Sequence, residues 1–264
     1  MLGKLLKYDL KWIYKLLVIF YVLALSFAVI GRGLVEIENS PIFDLIGKIC
    51  IGTSISMMFS VLINTLMRVW VRFIRNSYKD ESYLTHTLPV SKKTIYLAKI
   101  LSAIISMITS GIVILASLAI CYYSEANIEF LKSAVEMMAT SYNSTVVGFI
   151  LTLFIILVLE AIFALLAGYM GIILGHRANN KRMLKSVIYG FAVFMIPSII
   201  TLIILFVIGL FNPEVMNLFF SNNAMPELEV IKTVLYAGIA MYVVYIAVYY
   251  VLGSKLFEKG VNVE

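Results

Sequence analysis

Charge is what this sequence is short of. Asp, Glu, Lys and Arg make up 14% of its 264 residues, against roughly 25% in an ordinary soluble domain. They gather between long apolar runs instead of spreading along the chain, a pattern that excludes a normal solvated surface. Only two cysteines and two histidines are present. None has metal-ligand spacing, so neither a zinc site nor a disulfide framework is implied. There is also no Gly-x-x-x-x-Gly-Lys-Ser/Thr phosphate loop, and the polar connections are too short to fold a nucleotide-binding domain. Any ATP chemistry associated with this chain has to sit on another polypeptide.

What abounds is hydrocarbon. The chain is 62% hydrophobic with a mean hydropathy of +0.99, whereas soluble domains are roughly 45 to 50% apolar. Crossing a bilayer core of about 30 Å takes roughly 20 apolar residues as helix, since lipid offers the backbone no hydrogen bonds. Six runs qualify, near 16–35, 49–67, 95–123, 146–174, 187–211 and 233–252. The expected fold is all-α, a single transmembrane domain over residues 1–264 with six spans. The first run is too long for a signal-peptide core and is expected to stay as an anchor.

Basic residues orient those spans. Lys4, Lys7, Lys11 and Lys15 precede the first, Arg68 to Lys99 lie between the second and third, Arg177 to Lys185 between the fourth and fifth, and Lys255 and Lys259 after the sixth. Together these segments hold 17 of the 21 Lys and Arg. By the positive-inside rule they face the cytoplasm, and the even number of spans returns both termini there. The net charge of +6 is thus a topology signal and does not call for a nucleic-acid partner. The alternate connections carry acids such as Glu36, Glu38, Asp44, Glu125 and Glu129.

Two connections have internal pattern. In "MLGKLLKYDLKWIYKLL" the lysines recur at three and four residues, which predicts an amphipathic helix lying on the cytoplasmic surface before the chain turns in. Arg68, Arg72, Arg75 and Lys79 likewise extend the second helix beyond the membrane with a basic face beside Trp70 and Phe73. Pro89 then disfavours helix at Leu88, and Ser91 is placed to cap the third span.

On these residues a family resemblance rests. "RFIRNSYKDESYLTHTLPVSKKTIYLAK" resembles the first cytoplasmic loop of bacterial ABC-type exporter permeases of the type-two class. Arg72, Phe73, Asp80, Glu81, Tyr83, Leu84, Thr85, Thr87, Leu88, Pro89, Val90, Ser91 and Lys99 match, while Ser82 stands where Gly is usual and His86 interrupts the Thr-Leu-Thr run. The ending "KLFEKGVNVE" is similar to the same permeases at Lys255, Lys259, Asn262 and Glu264. The resemblance implies a transport subunit, not an enzyme, in a bacterial plasma membrane. It implies a second permease copy, identical or paralogous, and a separate ATP-binding subunit that uses ATP and Mg. Lys79, Asp80, Glu81, Ser82, Tyr83, Leu84, Thr85 and Pro89 would form the coupling loop that docks on that subunit, with Glu81, Tyr83 and Leu84 as its contacts. The implied substrates are amphipathic or hydrophobic: peptides, antibiotics or lipids.

Within the spans, Glu160 is the one deep acid. It would contact a cationic substrate or accept hydrogen bonds from neighbouring helices, and the absence of an intramembrane Lys or Arg partner favours the structural role. Thr53, Ser56, Ser60 and Asn64 on the second span, and Ser102, Ser106, Thr109 and Ser110 on the third, form polar stripes that line a pathway or bond helix to helix. Tyr242, Tyr245 and Tyr249 stripe the sixth. Ala164, Gly168, Gly171 and Gly175 make a small-residue packing face, and Pro197 should free a carbonyl and kink the fifth span. "NIEFLKSAVEMM" predicts a short outer helix. His86 and His176 read as solvated loop residues. An ion-coupled secondary transporter built on inverted three-span repeats is the alternative function, although no internal sequence similarity is visible.

Overall fold

The computed structural model describes residues 1–37, 40–79, 81–220 and 228–259, and only the backbone of 141, 214, 217–219, 228 and 229. Asp80, Asn262 and Glu264, expected to contribute to docking or to the C-terminal motif, lie outside the described residues. The described chain is helical throughout: α1 (Leu2–Val35), α2 (Pro41–Ser77), α3 (Ser82–Thr87), α4 (Lys92–Tyr122), α5 (Glu125–Ser141), α6 (Val146–His176), α7 (Arg182–Phe211), α8 (Pro213–Phe220) and α9 (Leu228–Glu258). Six of these, α1, α2, α4, α6, α7 and α9, are long and apolar enough to cross a membrane, the architecture of a multi-pass membrane protein. Five of the six expected spans fall inside them, and the third, 95–123, runs one residue past the end of α4 at Tyr122.

The chain divides into two compact units, one ending at Leu131 and the next starting at Lys132. The first contains α1 to α4 and the second α6 to α9, so each runs long, long, short, long. In each, the leading helix packs against both other long ones.

In the first unit α1 buries Asp9, Ile13, Leu17, Tyr21, Ala24, Ala28 and Gly31, a repeat of three and four that draws one stripe along a helix. That stripe begins at Asp9 and never breaks, which corrects the expectation of a separate surface helix turning into the first span. The lysines do form an exposed face, but the helix under them continues as one rod. Polar groups stitch it to its neighbours. Tyr14 Oη lies 2.7 Å from Thr109 Oγ1, Tyr21 Oη 2.7 Å from Ser110 Oγ, and Ser110 Oγ 2.7 Å from Thr65 Oγ1. Ser54 donates to the Ala24 carbonyl at 2.8 Å. The α4 stripe is therefore packing, with Ser102, Ser106 and Ser110 buried. The α2 stripe is not: Ser56, Ser60 and Asn64 each donate to the carbonyl one turn back, at 3.1, 3.0 and 2.8 Å.

In the second unit α6 and α7 meet across glycine. A Cβ built on Gly171 would overlap the Gly190 backbone, and one on Gly175 would overlap Ser186. The reverse does not hold, for a Cβ on Gly190 finds only Gly171 Cα, at 4.0 Å. Gly171→Val is expected to lower stability by about 1–3 kcal/mol, because backbone cannot rotate aside as a side chain can. Gly190→Ala is expected to be tolerated, and thermal unfolding of the two purified variants compares them directly.

Pro197 sits inside α7 and lacks the N–H that would bond the carbonyl four residues earlier, that of Val193. Tyr249 supplies the missing donor, its hydroxyl reaching the Val193 carbonyl at 2.6 Å. Tyr245 Oη donates to the Pro197 carbonyl at 3.1 Å and lies 3.1 Å from Thr201 Oγ1. Two of the three striped tyrosines thus bond the backbone around the proline, and Tyr249 replaces the donor it lacks.

Candidate functional site

The connection between α2 and α4 is short, charged and tightly held. Behind it stand the first turns of α1 and α4 and the last turns of α2. Phe73 is fully buried between Tyr78 and Tyr96, with ring centroids at 6.0 and 6.2 Å, and this wedge fixes the end of α2 beside the start of α4. The basic face of α2 does not point to solvent. Arg68 lies 3.7 Å above the Trp12 ring and donates to the Trp12 carbonyl at 2.7 Å, with Arg72 and Arg75 at 5.4 and 5.7 Å from the same ring.

Asp9 is the hub of this end. It is 2% exposed and accepts from Arg72 Nε at 2.8 Å and from Lys99 Nζ at 2.7 Å on both carboxylate oxygens. Arg72 Nη1 then reaches Glu81 at 2.6 Å, and Asn76 Nδ2 donates to the same Glu81 oxygen at 3.1 Å. Two cations and two carboxylates close a neutral network across α1, α2, α4 and the entrance to α3. A network of this kind offsets the cost of burying charge only while every member is present.

Glu81 therefore faces inward, and what it holds is α3. Ser82 and Thr85 are buried at 1% and 4% exposure, and Thr85 Oγ1 donates to the Glu81 carbonyl at 2.9 Å. His86 Nε2 is 3.1 Å from the Ser77 carbonyl, so this histidine fastens α3 to α2 and is not a free loop residue. Tyr83 and Leu84 take the opposite face and are 77% and 70% exposed. Lys79 is half-buried in the turn before them. Leu88 is extended, as the residue before Pro89 should be, and Ser91 Oγ accepts from the Thr94 N–H at 3.3 Å, capping α4 as expected.

Burial alone would raise the Glu81 carboxyl, but the Asn76 hydrogen bond and the Arg72 charge outweigh it and hold the group below the ordinary glutamate value. A depressed carboxylate contributes stability above its unfolded pKa and loses it as pH falls through the folded one. A spin label on Thr87→Cys should keep its neutral-pH mobility down to about pH 4.3 and loosen only below that. Loosening between pH 6 and 5 would contradict this assignment.

The other candidate residues are placed differently. Glu160 is exposed near the middle of α6, and the hydrogen bonds that a structural role calls for are not made among the described residues. Ser56, Ser60 and Asn64 belong to the other unit, with their hydroxyl and amide protons engaged in α2 itself. His176, expected in solvent, is 1% exposed, with Nδ1 2.9 Å from the Ile172 carbonyl and 3.2 Å from Ser186 Oγ. It closes the α6 to α7 turn because the glycine crossing brings Ser186 against it.

The residue missed in sequence was Asp9. It is the only acid before Glu36, set in a lysine-rich segment whose spacing drew attention to the lysines. An isolated acid on the apolar side of a basic helix was the available signal. Comparison with protein-family models, curated proteins and solved structures finds no match to this chain.

Proposed function

We propose that this chain is the permease subunit of an ATP-driven ABC exporter in a bacterial plasma membrane, with both termini in the cytoplasm. The observation that carries the reading is the pairing of two exposed apolar side chains, Tyr83 and Leu84, on a helix pinned from behind by an ion network. A rigid helix presenting an aromatic and an aliphatic anchor is what a moving partner needs to push against. The partner is a separate ATP-binding subunit that hydrolyses Mg-ATP. Its closure would displace α3 and, through Glu81, Arg72 and Asp9, the ends of α1, α2 and α4. A second permease copy, identical or paralogous, completes the pathway, and alternating access carries amphipathic or hydrophobic cargo outward. Co-expression and co-purification with an ATP-binding-cassette subunit from the same genome, followed by ATP-dependent transport in vesicles, tests the reading; failure to assemble with any such subunit overturns it.

One observation favours a second reading. Two units, each with three long helices in the order long, long, short, long, match what an inverted-repeat secondary transporter requires, since three spans reverse the direction of the chain. Transport driven by a proton or sodium gradient without ATP would select that reading.

A further inference from the structure

We infer that the second unit holds a binding site for a hydrophobic monocation, in the cleft between α7 and α9, with Glu160 on α6 one turn from Phe163 of its lining. The cleft encloses about 340 Å³ and is lined by Phe163 of α6, by Phe194, Pro197, Ser198 and Thr201 of α7, and by Gly238, Met241, Tyr242 and Tyr245 of α9. That volume is at the lower end of the range for small-molecule sites.

Its depth is set by the chain. Glu160, Pro197 and Tyr242 each fall within a residue or so of the midpoint of their helices, α6, α7 and α9. All three helices are long and apolar enough to cross a membrane, so the cleft lies at mid-depth. An acid there is costly, on the order of 2.5–3.5 kcal/mol by insertion scales for charged residues, and the cost calls for a partner. Among the described residues no cation pairs with Glu160, which lies three residues before the cleft-lining Phe163 on α6.

The polar groups around the cleft divide cleanly. Tyr245 and Tyr249 are committed to the carbonyls of Pro197 and Val193. The Tyr242 hydroxyl makes no such bond among the described residues. Glu160 and Tyr242 are therefore the two polar groups left for an occupant, three residues from Phe163 along α6 and across from it on α9. Phe163 meets Tyr242 at 5.6 Å, Phe194 at 5.6 Å and Tyr245 at 6.1 Å between centroids. One carboxylate with a wall of aromatic rings matches an organic cation whose charge is spread over an apolar body. The rings attract it electrostatically, and little hydration has to be stripped away. An anion would meet repulsion from Glu160, and a neutral lipid would leave that charge unpaired.

As the cargo of an exporter this cation rests on the permease reading, but its binding does not. The test is equilibrium dialysis of radiolabelled tetraphenylphosphonium against the full chain in phosphatidylcholine nanodiscs. Saturable binding is expected, weakened about ten-fold or more by Glu160→Gln and better kept by Glu160→Asp. Gly238→Leu is the second variant. A Cβ there meets nothing within 4 Å, so the side chain grows into the cleft without a clash and should abolish binding at unchanged thermal stability. Binding that never saturates, or that survives both Glu160→Gln and Gly238→Leu, overturns the site. Loss of assembly with an ATP-binding subunit while the cation still binds overturns the permease reading alone. ATP-driven transport without saturable cation binding overturns the site alone.

Discussion

Asp9→Asn is expected to destabilise the protein by about 3–5 kcal/mol, the cost of removing one partner from a buried ion pair. On the usual scaling for a chain of this size this lowers the unfolding midpoint by on the order of 10 °C. Asparagine keeps the shape and one acceptor oxygen, so the loss isolates the charge. Without it the buried Arg72 keeps the partly exposed Glu81 as an ion-pair partner, and the buried Lys99 loses the carboxylate that accepted from it on both oxygens. Arg72 thus loses one of its two carboxylates, and the two cations still face each other. The network also implies a recovery: Asp9→Asn with Lys99→Met removes the surplus charge and should regain part of the loss, because an apolar group of similar length is not penalised by burial. Thermal unfolding of the single and double variants measures both. A single variant within a degree of the parent would mean that the network does not carry the end of this unit.

Tyr83→Ala with Leu84→Ala should do the opposite, leaving the fold alone and removing the partner. Both side chains are mostly exposed, and surface truncations of this kind usually change stability by less than about 0.5 kcal/mol. Truncating a central aromatic or aliphatic anchor of an interface commonly costs about 2 kcal/mol or more, a loss of roughly thirty-fold in affinity for each. The double variant is therefore expected to be as stable as the parent, to fail to retain the ATP-binding subunit on an affinity column, and to give no ATP-driven transport. Retention at the parental level would end the docking reading. Glu81→Ala separates presentation from contact. It should release α3, weaken assembly less than the double variant does, and lower stability as well.

The difference between these variants shows where sequence is informative. Six apolar runs of the right length were legible because hydropathy is local, and the same holds for the Ser91 cap, the helix at α5 and the proline in α7. The Asp9 network was not legible, since it joins positions 9, 72, 81 and 99 and each of those charges already had a sufficient reason to be there. Lys99 and Arg72 fit the positive-inside count, and Glu81 fitted a docking loop. Only the packing of α1 along α2 and α4 decides that they meet. Glu160 stands out in the sequence as the one deep acid, but whether it meets a cationic substrate or bonds to neighbouring helices is not legible there, because sequence cannot say which hydroxyls are free. Here Tyr245 and Tyr249 are occupied by the backbone at Pro197 and Val193, and among the described residues Tyr242 alone of the stripe is not.

That last arrangement has a mechanical consequence. A proline normally weakens its own helix, leaving one carbonyl idle and the rod free to flex about that point. In α7 the idle carbonyl is claimed by α9, so the bond lost along one rod reappears as a crossbar to the next. Bending at Pro197 then either drags α9 along or breaks the crossbar and strands the carbonyl, so the two rods travel together like a pair of hinged levers sharing one pin.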